Sequence, residues 1–117
     1  MNGTLKNKRS KALALLVAAE RELSAFRSKP QFSTLSQACE KTWVAFTLLL
    51  ELKAGRELKT SAALRSAAKE LRMRELFART RILHVFHYEG SVALGYEEMA
   101  GDVEELIPEI RAQIEGG

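Results

Sequence analysis

The sequence contains few of the residues that cross-link small folds or form tight turns. A single cysteine, Cys39, excludes an intramolecular disulfide and a cysteine-based metal cluster. The 7 glycines and 2 prolines are too few for a β-rich chain with many turns. No apolar run is long enough to span a bilayer, and no secretory cleavage pattern follows the basic start of the chain. We therefore expect a cytoplasmic protein that is not inserted in a membrane.

The residues that are abundant favour helices, because Ala, Leu, Glu, Lys and Arg dominate the composition. A chain of 117 residues, 46% of them hydrophobic, buries roughly 65% of the surface that its unfolded form exposes, which is enough for one core. We expect a single all-α domain over residues 1–117. Asp102 is the only aspartate, and a composition rich in Glu, Lys and Arg is typical of heat-adapted proteins, so we also expect a thermophilic source.

Positive charge is in slight excess and is concentrated at the start of the chain. The 18 Lys and Arg against 15 Asp and Glu give a net charge of +3, which is weaker than the charge of a dedicated DNA-binding domain. Four cations precede the first acidic residue of the chain: Lys6, Lys8, Arg9 and Lys11. We predict that residues 1–9 form a basic, flexible and solvated arm, with attraction of phosphate as the alternative.

Hydrophobic periodicity predicts two long helices in the first half of the chain. The first helix begins near Leu5 or Ser10 and runs to about Ser28, since Pro30 cannot continue the hydrogen-bond ladder.

The second helix is capped by Ser33 or Thr34 and runs to about Ala54, with Gly55 as its stop. Residues 43–50 are apolar apart from one threonine, so we expect this helix to lie centrally, buried on more than one side.

The second half of the chain predicts three further helical segments. Thr60 or Ser61 opens the third, and a break near Arg72 to Glu75 separates it from a fourth that ends at Glu89. Asp102 with Glu105 forms a capping box for the last helix.

Pro108 lies within the apolar stripe of that last helix. It should either kink the helix or keep its ring on the exposed side. Short connections between these segments predict an antiparallel up-and-down bundle of four to five helices.

The dense polar and aromatic segment of the chain, residues 72–89, is called the basic strip below. It contains both histidines of the chain and four arginines: Arg72, Arg74, Arg79 and Arg81. Imidazole exchanges protons near neutral pH and guanidinium binds phosphate, so the two together suffice for metal-independent RNA cleavage by the 2′-hydroxyl. We expect no metal and no cofactor, because His84 and His87 have only Glu89 as a nearby third ligand.

Helical geometry restricts which residues of the basic strip can cooperate. Arg81, His84 and Tyr88 lie on one face of a straight helix, whereas Arg79 and His84 are about 140° apart. Arg79 and His84 could converge only if the helix begins or bends between them, or if a second chain contributes. Alternatively, His84 is a hydrogen-bonded interior histidine.

The spacing Arg79-x4-His84, followed by aromatic Phe86, resembles the Arg-x4–6-His motif of the HEPN superfamily. Members are small α-helical bundles, often dimeric, and the active ones are metal-independent ribonucleases of toxin–antitoxin and defence systems. The run from Leu83 to Gly90, followed by residues 97–106, is similar to the archaeal PaREP group, which has a HEPN-like fold and no established activity. The resemblance covers residues 33–110.

The resemblance implies that Arg79 stabilises the scissile phosphate and that His84 transfers a proton. The position after the arginine is commonly a polar amide or acid in the family but is Thr80 in this chain, and Arg81 with His87 also satisfies the motif spacing. Some members of the family lack activity and bind nucleotides or pair with a nucleotidyltransferase partner.

Three interpretations of function follow. The first is a non-catalytic or weakly active HEPN-like module that binds RNA, a nucleotide or a partner protein through the basic strip. Its binding residues would be Arg74, Arg81, His87 and Tyr88. The second is a dimeric, metal-independent endoribonuclease that uses Arg79 and His84. The third is a purely structural oligomer in which the residues of the strip are packed or ion-paired with Glu70, Glu75 and Glu89.

We expect a homodimer, because the second helix is too apolar for one partner layer and the family forms pairs. Further expected partners are RNA or a nucleotide, and a nucleotidyltransferase or antitoxin-like protein.

Overall fold

A computed structural model of the chain describes residues 2–90 and 95–116, with side chains from residue 7 onward. Five helices account for the regular structure in these ranges: α1 Asn2–Ser28, α2 Phe32–Ala54, α3 Ser61–Glu70, α4 Arg74–Glu89 and α5 Tyr96–Gly116. The expected all-α class is confirmed, since no strand occurs in the ranges given above. No helix of the described chain combines the length and hydropathy that a bilayer crossing needs.

Helix α1 begins earlier than the sequence predicted. Residues 2–9, expected as a flexible arm, belong to its first turns. The Lys8 ammonium lies 3.1 Å from the Glu51 carboxylate on α2, so Lys8 contacts the bundle and is not a solvated cation. The predicted end at Ser28 is confirmed, and Pro30 follows in the connection.

The predicted cap of α2 at Ser33 or Thr34 is wrong, because α2 begins at Phe32 and Gln31 occupies the N-cap position. The Phe32 ring packs against the ring of Phe86 with a centroid distance of 5.4 Å. This tertiary contact accounts for a start ahead of the hydroxyl residues.

The predicted end of α2 at Gly55 is confirmed. Gly55 has a φ of 72° and its N–H donates to the carbonyl of Glu51, in the left-handed conformation that glycine adopts at helix ends.

The short helix α3 begins where the sequence predicted and ends at Glu70, slightly before the predicted break near Arg72 to Glu75. The hydroxyl of Thr60 accepts a hydrogen bond from the N–H of Ala63 at 3.0 Å, which caps the first turn. The predicted break before α4 is also present, at residues 71–73. Arg72 has a φ of 60° there, and the Met73 N–H donates to the Ala68 carbonyl at 2.7 Å.

The predicted capping box at Asp102 and Glu105 is wrong, because α5 begins at Tyr96 and both residues lie inside it. Met99 and Ala100 are fully buried, so the first turns of α5 are part of the core. Their burial favours a helix that begins before Asp102. Pro108 is exposed, which agrees with the predicted alternative that its ring lies on the solvent side of the helix.

Helix α2 is the centre of the bundle and contacts each of the other four helices. Its inward residues Leu35, Cys39, Phe46 and Leu50 have no exposed surface, which confirms the predicted central position. Burial raises the pKa of the Cys39 thiol to about 12, so it is a protonated apolar side chain at neutral pH. Because the chain covers α2 with its own helices, the apolarity of α2 does not require a second chain, and dimerisation stays a prediction.

Candidate binding site

The residues of the basic strip point in three directions, because each step along α4 rotates a side chain by about 100°. One set faces α5, a second faces α2, and a third opens onto a groove beside α3. The core side of α4 carries Leu76, Leu83 and Phe86, which are buried. This distribution decides which of the predicted site residues can act together.

Arg79 faces α5 and lies among carboxylates. Its guanidinium is 2.9 Å from Glu109 and 3.6 Å from Glu105. The next residue, Thr80, is buried, and its hydroxyl donates to the carbonyl of Leu76. The predicted phosphate ligand is therefore already ion-paired within the chain, and a phosphate would compete with two carboxylates for it.

Asp102 belongs to the same acidic surroundings. Burial raises the pKa of its carboxyl above the ordinary value, and the neighbouring Glu105 adds to the shift, while Arg79 opposes it. Ionisation of the Asp102 carboxyl is therefore less favourable in the folded protein, because of its burial and of the nearby negative charge of Glu105.

His84 faces α2 and is held by two of its residues. Its Nδ1 lies 2.9 Å from the Glu40 carboxylate, which can only accept, so Nδ1 donates. The imidazole also stacks on the Trp43 ring with a centroid distance of 5.0 Å. Glu40 thus holds Nδ1, and the His84 Nε2 is the ring nitrogen that makes no hydrogen bond within the described residues.

His87 lies one turn further along the same side of α4. Its Nδ1 is 2.7 Å from the hydroxyl and 3.2 Å from the carbonyl oxygen of Ser36. Tyr88 is 70% exposed and makes edge contacts with both imidazoles, at 4.7 Å from His84 and 4.9 Å from His87. Two histidines attached to α2 therefore flank one exposed aromatic ring.

The predicted catalytic pair is not brought together within one chain. Arg79 contacts α5 and His84 contacts α2, while α4 continues without a break from Arg74 to Glu89. The separation of about 140° expected for a straight helix is therefore retained. A phosphate shared by these two side chains would need a second chain.

Arg74 and Arg81 open onto a groove of about 1320 Å³ between α3 and α4. Helix α3 contributes two further cations, Arg65 and Lys69, and Glu75 is the one carboxylate among the lining residues. No ion pair involving these four cations occurs in the part of the chain that the structure describes. The apolar residues of the lining, called the floor of the groove below, belong to α3 and α4: Ala68, Phe77, Ala78, Ile82 and Val85.

Sequence reasoning missed three residues of these sites. Glu40 lies 44 positions before His84 and has no local signal. Arg65 and Lys69 are spaced one turn apart on α3, which is a visible pattern, but ordinary solvated helix faces have the same pattern. Only the packing of α3 beside α4 makes them part of a groove.

Within residues 2–90 and 95–116, no three metal-ligating side chains gather closely enough to hold one ion. Comparison of the chain with family models, curated proteins and solved structures finds no match to any of them. The assignment of function therefore depends on the geometry of α4 and its neighbours.

Proposed function

We propose that the protein is a non-catalytic, HEPN-like module that binds RNA through the basic strip. The observation that carries this proposal is the state of Arg74 and Arg81, which line an open groove with an apolar floor and have no carboxylate partner in the described chain. Guanidinium groups that are not neutralised within the protein are available to the phosphates of RNA.

The order of residues along α4 supports the same ligand. Arg74, Arg81 and Tyr88 are seven residues apart in turn, so they follow one line along the helix with about 10 Å between neighbours. Phosphates would contact the two arginines, and a base would stack on the exposed Tyr88 ring, since aromatic stacking supplies about 1–3 kcal/mol per base. His87 would contact the ligand beside Tyr88.

The HEPN-like, up-and-down arrangement is part of this proposal. Lys8 pairs with Glu51 and Glu22 pairs with Lys41, which supports α1 and α2 running in opposite directions.

Fluorescence anisotropy with a labelled unpaired RNA tests the proposal. We expect Arg81→Ala to weaken binding at least fivefold, about 1 kcal/mol, and to reduce the dependence of log K on log salt by about one. Tyr88→Ala should weaken binding with little change in that slope. The matched control is Lys53→Ala, which removes an exposed cation at the end of α2. Equal binding by wild type, Arg81→Ala and Tyr88→Ala would contradict the proposal.

The contact between His84 and Glu40 favours one second candidate, a dimeric and metal-independent endoribonuclease. A carboxylate on Nδ1 orients the imidazole and leaves Nε2 for proton transfer with a ribose hydroxyl. Arg79 of a second chain would have to stabilise the negative charge of the phosphate.

Cleavage of mixed RNA in EDTA distinguishes this candidate from the binding module. If the protein is a ribonuclease, wild type cleaves and His84→Ala from a matched preparation does not. Cleavage by both preparations would indicate a contaminant or another histidine. Absence of cleavage by either, at high protein concentration and long times, would leave the binding module alone.

A further inference from the structure

Helix α3 supplies a second row of positive charge opposite the basic strip. Arg65 and Lys69 are four residues apart and both line the groove, and on the other side Arg74 and Arg81 line it from α4. All four side chains are exposed at their positions. The groove therefore has cations on its α3 wall and on its α4 wall, whereas the basic strip supplies cations on the α4 wall alone.

The position of Arg65 is restrained by an aromatic contact. Its guanidinium carbon lies 5.9 Å from the centroid of the Phe77 ring on α4. A cation over a ring keeps its full charge, so this contact orients the guanidinium at the groove without neutralising it. The α3 wall thus contributes an arginine that is already positioned for an anion.

The groove also presents apolar surface beside its cations. Ile82 is 41% exposed and is one of the few large apolar side chains that the described chain leaves in solvent. Val85 and Ala78 continue this surface along α4. A ligand that fills the groove must present an anionic backbone to both walls and an apolar surface to the floor.

Unpaired RNA has this combination of surfaces and duplex RNA does not. In a single strand the base faces can turn away from the phosphates and lie on an apolar surface. In a duplex the base faces are stacked inside the helix, and the outside offers phosphates, sugars and polar base edges. The apolar floor would remain uncovered under a duplex.

We infer that the α3–α4 groove is a site selective for single-stranded RNA. Arg65 and Lys69 on one wall and the two arginines of α4 on the other bind phosphates, and bases lie on Ile82 and Val85. This inference rests on the proposed function and adds to it the strandedness of the ligand and a wall that the basic strip does not contain.

The first test compares a labelled RNA strand with its duplex of the same length at one salt concentration. We expect the single strand to bind at least tenfold more tightly. Equal or tighter binding of the duplex would overturn the inference, and the proposed function would stand. Absence of binding to either form would overturn both.

Variants of the α3 wall and of the floor provide the second test. Arg65→Ala combined with Lys69→Ala should weaken single-strand binding at least fivefold. Ile82→Ser should weaken it without changing the affinity for duplex. Both sites are exposed, and circular dichroism would verify that the variants are folded. Lys53→Ala is again the control, since it removes a cation outside the groove.

Wild-type affinity in both variants would overturn the inference, and if Arg81→Ala still weakened binding, the proposed function would survive. An acidic amphipathic peptide that displaces RNA at lower concentration than unlabelled RNA does would also overturn the inference, because the groove would then prefer a protein partner.

Discussion

Two arginines that are two positions apart in the chain have opposite surroundings. Arg79 lies between Glu105 and Glu109 of α5, whereas Arg81 opens onto the groove with no carboxylate partner in the described chain. An arginine that is already ion-paired exchanges one anion for another when it binds phosphate, so its net gain is small. Arg81 loses only water. This difference makes Arg81 the stronger candidate for ligand binding.

The acidic surroundings of Arg79 predict a pH-dependent effect at Asp102. Its carboxyl pKa is raised in the folded protein, so ionisation of Asp102 weakens folding as pH rises from the ordinary pKa of aspartate through the raised value. Asp102→Asn removes this charge. We expect the variant to be more stable than wild type at neutral pH by about 0.5 kcal/mol.

Urea unfolding across pH measures this effect. The difference between Asp102→Asn and wild type should disappear at a pH below the ordinary pKa of aspartate, where both side chains are uncharged. A variant that is less stable at neutral pH would mean that the attraction to Arg79 exceeds the burial and repulsion costs.

The sequence predicts the chemistry of the candidate site but not its partners. The density of arginine and histidine in the basic strip is visible directly, and the angle between Arg79 and His84 follows from helix geometry. The side chain that each one meets depends on which helices pack against α4. Glu40 therefore has no local signal, and the spacing of Arg65 and Lys69 is the same as that of an ordinary solvated helix face.

At the scale of elements, the turn between α3 and α4 contains the one non-glycine residue of the described chain with a positive φ. Arg72 has a φ of 60°, a conformation that costs an L-residue roughly 1–2 kcal/mol. It is exposed, so its side chain contributes no burial in exchange.

Arg72→Gly should therefore stabilise the protein, because glycine adopts this conformation without a steric cost. We expect a net gain of about 0.5–1 kcal/mol, reduced by the larger unfolded-state entropy of glycine. Ser66→Gly, at an exposed position inside α3, should have the opposite sign. Thermal unfolding of both variants checks the prediction, and destabilisation by Arg72→Gly would contradict it.

The ends of the elements were easier to predict than some of their starts. Pro30 and Gly55 end helices for backbone reasons that hold in any tertiary context. Thr60 caps α3 where the first turn is solvated. By contrast, Phe32 and Tyr96 begin α2 and α5 while their rings pack 6.0 Å apart, so aromatic packing replaced the expected polar caps.

At the scale of the whole molecule, α5 is joined to α1 by ion pairs along its length. Arg27 lies 3.6 Å from Glu97 and 3.3 Å from Glu104. Arg111 binds both oxygens of Glu20, at 2.7 Å and 3.2 Å. Networks of this kind contribute more at high temperature, which agrees with the thermophilic composition. A thermophilic source stays a prediction.

The groove has a consequence for the predicted homodimer. Two copies that met groove to groove would oppose two sets of four cations, which is unfavourable. We therefore expect a dimer interface elsewhere, so that Arg81→Glu leaves the association unchanged.

Light scattering measures the mass directly. Twice the 13.1 kDa of one chain is the expected result for both wild type and Arg81→Glu. A single-chain mass for wild type would contradict dimerisation, and a change of mass in the variant alone would locate the interface in the groove.

Helix α3 differs from the other elements in how it is held. It is the shortest of the described helices, with ten residues, its buried residues are Ala67 and Ala68, and among those helices it packs against α2 and α4. Local opening of α3 would therefore leave the remaining four helices packed, at a smaller free energy than global unfolding. One wall of the groove can then detach and return while the rest of the protein stays folded. A ligand that bridges α3 and α4 would suppress this opening, so occupancy of the groove would be recorded as slower amide hydrogen exchange in α3.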